Sequence, residues 1–259
     1  IHSSQWAGQT LIGAGRSILN YCLRVRQHVL PPLCLLCSAP AVAGNLCPPC
    51  RDDMPYLPHS RCPRCAAPTP GNAICGACLA HPPRFDRVLA PCEYAFPLDR
   101  VIQRFKFSGL LAAAPLLAEL MRRAIAAEAS RPDVIVPMPL STQRLRERGF
   151  NQALELARLL GRQTGIALAE RGCLRIRHGE AQSDLPLAER VRNLRGAFTT
   201  LEDFSGLSVA VVDDVLTTGA TLDEVAAVLR RAGAARVEGW VAARTLPPGS
   251  HPASAIQPS

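Results

Sequence analysis

The chain of 259 residues contains almost no lysine: Lys106 stands alone against 28 arginines. Work that needs positive charge therefore falls to guanidinium groups, which donate hydrogen bonds in a planar fork suited to phosphate oxygens. One lysine kept between Phe105 and Phe107 in so arginine-biased a sequence is a candidate phosphate contact and catalytic group. Aromatic residues make up only 5%, which leaves few platforms for stacking nucleic-acid bases. No apolar run reaches the roughly eighteen residues that a membrane-spanning helix needs. The longest candidate, residues 110–121, is interrupted by Pro115 and Glu119. The basic, apolar and small-residue succession of a secretory signal is missing too, so the expected location is the cytoplasm.

What the chain has in abundance is cysteine, eleven in all, within a 48% hydrophobic composition that supports a sizeable core. Eight of the eleven form CxxC pairs: Cys34/Cys37, Cys47/Cys50, Cys62/Cys65 and Cys75/Cys78. Adding 28 to each of the first four positions gives the second four, and Ala39-Pro40 recurs as Ala67-Pro68. The spacing C-x2-C-x9-C-x2-C is thus duplicated. Two thiolates on a tight turn can share one tetrahedral Zn2+, and two such turns close a four-sulfur site with no open position, which makes it structural. The module has too few large apolar side chains to hold a core unaided, so two zinc ions supply its folding free energy. Duplication favours sequential use, Cys34, Cys37, Cys47 and Cys50 on one ion and Cys62, Cys65, Cys75 and Cys78 on the next. A crossed arrangement is the alternative, and redox pairs are the bland reading. His59 and His81 border the cluster and are expected in solvent. Cys22, Cys92 and Cys173 have no partner in sequence and fit as small buried residues.

The remaining chain falls into clear segments. Residues 9–30 carry Leu11, Ile12, Ile18, Leu19, Cys22, Val25 and Val29 near one face of an amphipathic helix, stopped by Pro31-Pro32. The double ribbon covers 31–84. From 85 to 246, β-branched runs at 134–136, 209–212 and 237–242 alternate with helical patterns at 154–160 and 222–231, which predicts an α/β domain on a parallel sheet. The Pro- and Ser-rich stretch 247–259 reads as a disordered tail.

Residues 209–221 are the most informative. Four apolar residues form a buried strand, and Asp213 and Asp214 follow at its carboxyl end, where ligands bind in open α/β sheets. The loop Thr217, Thr218, Gly219, Ala220 and Thr221 then opens a helix. Its glycine, hydroxyls and free N–H groups favour an anion. A surface turn with incidental acids is the plain alternative. This motif resembles the phosphoribosyl-pyrophosphate (PRPP) signature of the type I phosphoribosyltransferases. The resemblance implies that Asp213 and Asp214 hold the ribose hydroxyls and that 217–221 binds the 5'-phosphate. It also implies a parallel sheet of five strands with a hood, and Mg2+ accompanying PRPP. In such enzymes the loop after the first strand binds pyrophosphate. Here residues 134–141 run into Arg144, Arg146 and Arg148, whose alternate spacing suits that charge, with a solvated helix start as the alternative. The polar segment 171–198, with Arg175, Arg177, Gln182, Arg190, Asn193 and Arg195, has the length and charge of the loop that in such enzymes closes over PRPP and excludes water, with a solvated loop as the alternative.

The duplicated CxxC module, Phe105-Lys106-Phe107, the stretch Arg144 to Gln152, the spacing of Gln182, Arg190 and Asn193, and Asp213-Asp214 together resemble the ComF/GntX family over roughly residues 18–245. That resemblance implies a cytoplasmic protein of competence and DNA uptake that handles single-stranded DNA, with a competence helicase-type protein as a possible partner. Alternatives are an active Mg-dependent phosphoribosyltransferase acting on a nucleobase-like acceptor, and a GntX-type role in gluconate utilisation. Thr217 stands where a hypoxanthine-type enzyme places an acid, which disfavours that subclass. Charge bears on the choice. Up to Arg84 there are seven arginines and two aspartates, whereas the rest has 22 basic and 19 acidic residues. A basic ribbon region is the footprint expected of nucleic-acid contact.

Overall fold

The computed structural model describes residues 33–41, 45–128, 131–176 and 196–246. The helix expected at 9–30, the lid candidates Gln182 and Arg190, and the tail 247–259 lie outside the described residues. The chain divides into two compact units, Ile1–Arg51 and Asp52–Ser259. The second ribbon therefore shares its unit with the sheet, although its chemistry pairs it with the first.

Both ribbons begin with the same knuckle. In the first, Leu33 and Pro40 form an antiparallel bridge and the Cys34 amide donates to the Ala39 carbonyl at 2.7 Å. In the second, Arg61 bridges Pro68 and the Cys62 amide donates to Ala67, again at 2.7 Å. Ser38 and the equivalent Ala66 both take positive φ, 61° and 59°, the turn that lets each CxxC pair point inward.

The sheet is parallel throughout, in the order β1–β8–β7–β3–β4, with β2 also paired to β8. Its strands are β1 (Arg87–Leu89), β2 (Cys92–Glu93), β3 (Val134–Pro137), β4 (Ala167–Leu168), β7 (Ser208–Leu216) and β8 (Arg236–Arg244). β1 and β2 follow one another along the same side of β8, Arg87 opposite Glu238 and Cys92 opposite Ala243. They amount to one edge strand broken at Ala90-Pro91, so the sheet is five strands wide. Pro91 has no N–H to give to a ladder, and the break falls there. β7 and β8 lie at the centre and are buried on both faces, which is why they read as apolar runs rather than alternations.

Helices α1 (Leu98–Phe107), α2 (Ala114–Ala126), α3 (Thr142–Arg148), α4 (Gln152–Thr164) and α5 (Ala220–Arg231) complete the domain. α2 packs against α4 and on the sheet. On the opposite face Val209, Val211, Val237 and Val241 form one core with Leu222, Val225 and Leu229 of α5. α5 approaches so closely that a Cβ at Gly239 would lie 2.5 Å from Leu222. Phe198 of β6 (Phe198–Thr199), which pairs antiparallel with β5 (Leu174–Arg175), joins the same core. Leu57 and Ala66 of the second ribbon join it too.

The second ribbon meets the sheet at the break in its edge. The Leu57 amide donates to the Pro91 carbonyl at 3.0 Å, Glu93 donates to Pro55 at 2.7 Å, and Tyr56 bridges Cys92. The Arg61 guanidinium donates to the Ala90 carbonyl at 2.8 Å. The edge that a broken strand would leave open is thereby covered. No described helix is long and apolar enough to cross a membrane.

Candidate functional site

The eight paired cysteines gather in two groups, Cys34, Cys37, Cys47 and Cys50, and Cys62, Cys65, Cys75 and Cys78. Within each group the sulfur atoms lie within 4.8 Å of one another, and Cys37–Cys47 and Cys65–Cys75 approach to 3.5 Å. Zn–S bonds of about 2.3 Å at tetrahedral angles place sulfurs about 3.8 Å apart, so the donor sets fit zinc. None of the eight is in a disulfide. Grouping is sequential, not crossed. Burial opposes ionisation of Cys34, but backbone N–H donors at Cys37, Cys47 and Leu36 outweigh it and bring its pKa to about 6. The same balance, with donors at Cys75, Cys65 and Arg64, brings Cys62 to about 7. Cys50 is pushed up by hydrogen bonds to Cys37 and Cys47, and Cys78 by burial and then the charge of Cys65. Without a cation, one thiol of each cluster ionises easily while Cys37 and Cys50 in the first and Cys65 and Cys78 in the second are held up, as in a thiolate metal site.

The second constellation is a cleft of about 370 Å3 at the carboxyl ends of β3 and β7. Its floor is Asp213 and Asp214, its walls the β3–α3 loop (Met138, Pro139, Leu140), the start of α4 and the loop after β7. β3 pairs with β7 only as far as Pro137 opposite Val212, with one more amide, Met138, donating to the Val212 carbonyl. β7 continues beside β8 to Leu216, so the two acids sit within a strand that has lost one neighbour. Adjacent strand positions face opposite sides. Asp214, 5% exposed, turns toward α1 and pairs with Lys106, Nζ to Oδ1 at 3.0 Å. Burial and then the charge of Asp214 raise Asp213 to about 7. The lone lysine is thus a member of the site, held on a helix whose Phe105 ring meets Phe150 at 5.6 Å.

Arg144 and Arg148 both line the cleft, and Arg146 does not. Residues 142–148 are helical, so positions four apart share a face and the one between them points away. The alternate spacing that suggested three parallel contacts is a two-plus-one arrangement on a helix, and Arg146 is exposed to solvent. Arg148 lies 5.1 Å over the Phe107 ring and donates to Gln152 at 3.0 Å. Burial, then the neighbouring charge of Arg144, lowers its pKa. Arg175 behaves alike: it lies over Phe198, lines the cleft and is lowered by burial and then by Arg144. Three guanidiniums crowded so closely make a ready seat for a polyanion.

Thr217 and Thr221 face the cleft. Thr218 accepts the Ala220 amide at 3.3 Å, and Gly219 caps α5 at φ 83°, with the Phe85 ring 3.7 Å from where a Cβ would sit. Ala220 begins α5. Asn151 caps α4 by accepting the Ala153 amide and donates to the Met138 carbonyl at 3.1 Å, tying the two walls together. Sequence reasoning assigned no role to Asn151, Gln152, Tyr94 or Arg244, and placed Arg175 only within the lid. The Arg144-to-Gln152 stretch carried a signal for the first two, but Tyr94 and Arg244 depend on strand pairing that no local pattern reveals.

The basic footprint also shifts. Of the ribbon arginines, Arg61 is turned inward to Ala90, and Arg84 is bound by Asp223 and Glu224, both at 2.7 Å. Arg16, Arg24 and Arg26 lie outside the described residues. Arg144, Arg148 and Arg175 gather positive charge in the cleft as well.

Residues 25–79 match the model of the double zinc ribbon domain, and residues 148–251 that of the phosphoribosyl transferase domain. The chain is 35% identical over 225 residues to the DNA utilization protein YhgH of Salmonella typhimurium, covering 84% of this chain and 99% of that protein. It is 34% identical over 211 residues to competence protein F of Haemophilus influenzae, with 78% and 91% covered. With competence protein ComFC of Bacillus subtilis it shares 30% identity over 202 residues, 74% of this chain and 80% of the relative.

Proposed function

The chain belongs to the ComF family, which joins a double zinc ribbon to a phosphoribosyltransferase fold, and from that premise we propose that it binds PRPP or a related phosphoribosyl ligand in the cleft while serving in the handling of single-stranded DNA. The observation that carries the ligand reading is the opposition, within one cleft, of a carboxylate pair and a phosphate loop to three guanidiniums. In this reading Asp213 and Asp214 accept hydrogen bonds from the ribose hydroxyls. Thr217, Thr221 and the amides opening α5 receive the 5'-phosphate. Arg144, Arg148 and Arg175 take the pyrophosphate. Lys106, paired with Asp214 at 3.0 Å, orients that carboxylate. Magnesium brought with the ligand would offset pyrophosphate charge. Among the cleft-lining residues only Asp213 and Asp214 offer carboxylates to such an ion.

The names of the relatives, DNA utilization and competence, support the DNA role. A phosphodiester backbone and a pyrophosphate present the same chemistry to an arginine cluster, so the cleft and its rim are the expected contact surface. Phosphoribosyl transfer is the second reading, favoured by the Asp213 carboxyl at about 7. A group poised there can take the proton released when a nitrogen nucleophile attacks the ribose C1.

A crystal soaked with PRPP and Mg2+ tests the ligand reading: ribose on Asp213-Asp214 and phosphate on 217–221 is expected, and a ligand elsewhere overturns it. Single-stranded DNA binding at two salt concentrations tests the nucleic-acid role. Affinity that falls with salt is expected; none, or salt-insensitive affinity, removes it. Release of pyrophosphate across a nucleobase screen would establish transfer.

A further inference from the structure

Two connections run from the second ribbon and its exit to the phosphate loop, and neither uses a side chain that faces the cleft. At the end of the ribbon, Arg84 binds Asp223 in the first turn of α5 and Glu224 beyond it, and its backbone amide donates to Asp223. The next residue, Phe85, lies against Gly219. On the other side, the ribbon segment 55–57 pairs with the chain at 91–93, and the following residue, Tyr94, donates its amide to the Arg244 carbonyl at 2.8 Å. The Arg244 side chain turns inward, 7% exposed, and donates to the carbonyls of Leu216 and Thr217, the entry to the loop.

Arg244 is an unusual cation. It is buried, no carboxylate pairs with it among the described residues, and its Nε has no hydrogen-bond partner. Buried charges are ordinarily matched. Ala66, beside the Cys65 ligand, packs in one apolar core with Leu216, whose carbonyl Arg244 holds, and with Val241 of the same strand as Arg244. The second ribbon therefore reaches the loop entry by its own packing as well as through the 91–94 segment, and its tetracysteine set carries net negative charge when four thiolates hold Zn2+.

We propose that Arg244 is a positioning residue that couples the second tetracysteine site to the phosphate loop, so that the metal-loaded second ribbon fixes the backbone at 216–221 and the first ribbon does not. The loop's shape is then a property of the zinc site as much as of β7. The coupling rests on the phosphoribosyl reading only where affinity is concerned, because loop order can be measured without a ligand.

Hydrogen exchange of the full-length, zinc-loaded protein is the test, followed in peptides covering 214–222 with α2 as the internal control. Arg244→Gln, which removes the charge and the fork, is expected to speed exchange in 214–222 by about tenfold or more, with α2 unchanged and both zinc ions retained. Cys75→Ser/Cys78→Ser is expected to speed the same peptides, whereas Cys47→Ser/Cys50→Ser leaves them at the native rate. PRPP affinity with Mg2+ should fall about tenfold in Arg244→Gln. Native exchange of 214–222 in Arg244→Gln, or equal loosening by the two cysteine variants, would overturn the coupling. If the second-site variant does not fold, Arg244→Gln still decides. If Arg244→Gln loosens the loop but native protein binds no PRPP, the coupling stands and the ligand reading fails. If native protein binds PRPP and Arg244→Gln binds it equally with an unchanged loop, the reverse holds.

Discussion

The two ribbons have the same cysteine spacing, the same knuckle and equivalent positive-φ residues, yet they belong to different compact units. The first stands in Ile1–Arg51. The second gives Leu57 and Ala66 to the core of the sheet domain, closes the broken edge at Ala90-Pro91, and delivers Arg84 to the first turn of α5. A duplicated metal module is thus not a duplicated role. What distinguishes the copies is not the ligand set but the short segments beside it, 55–57 and 84–86, which find partners in the sheet and in α5. On the coupling proposed above, metal in the first copy would fold a ribbon, and metal in the second would also hold one side of the cleft.

The largest effect that separates the copies should come from removing metal. Zinc contributes apparent folding free energies of roughly 10–16 kcal/mol per site. Cys75→Ser/Cys78→Ser should therefore lower the melting temperature of the main transition, and Cys47→Ser/Cys50→Ser should leave that transition in place. Equal melting curves for the two variants would break the distinction. Within the second unit, the next largest effect is expected at the ion pair beneath the cleft. Lys106→Met leaves the buried Asp214 carboxylate unmatched and should cost about 3 kcal/mol in denaturant unfolding. Adding Asp214→Asn should recover most of it, since the two side chains are in direct contact. An additive double variant would contradict a coupled pair.

Smaller effects test the helix that carries the arginines. Arg148→Ala should weaken PRPP binding by about tenfold or more, because a charge-assisted hydrogen bond is removed. Arg146→Ala, two residues away on the solvent side, should change it by less than about 0.5 kcal/mol. Equal losses in a calorimetric titration would restore the alternate-spacing picture. A last effect is a pH dependence. Asp213 sits at about 7 in the folded protein, against about 3.9 for an unperturbed aspartate. Between those values the folded state binds more protons than the unfolded one, so stability should fall as pH rises through that window and level off above it. Asp213→Asn should remove that slope. In the same range, affinity for a ribose diol should rise with pH, because the carboxylate is the better acceptor.

Much of this was legible in the sequence because it is written in local patterns. The cysteine duplication, the apolar runs of the central strands and the loop at 217–221 each need only their own neighbours to be recognised. The same is true of the family resemblance, which rests on those motifs. Three features were not legible, each for a physical reason. Arg146 looked equivalent to Arg144 and Arg148 because spacing of two suits an extended chain, and the helix turned it outward. The basic ribbon region looked like a nucleic-acid footprint, but charge counting does not show that Arg61 and Arg84 are consumed by Ala90, Asp223 and Glu224. Arg244 ends an apolar run with no local hint of purpose. Its place depends on the register that sets Leu216 opposite it on β7, and on a ribbon almost 180 residues earlier in the chain.

The central claim, that the cleft holds a phosphoribosyl ligand by its carboxylate pair, is tested most directly by calorimetric titration of PRPP with Mg2+ into the native protein and into Asp213→Asn/Asp214→Asn. Saturable binding to the native chain that is lost in the double variant is the predicted result. Comparable affinity in both, or no binding to the native protein, would contradict it.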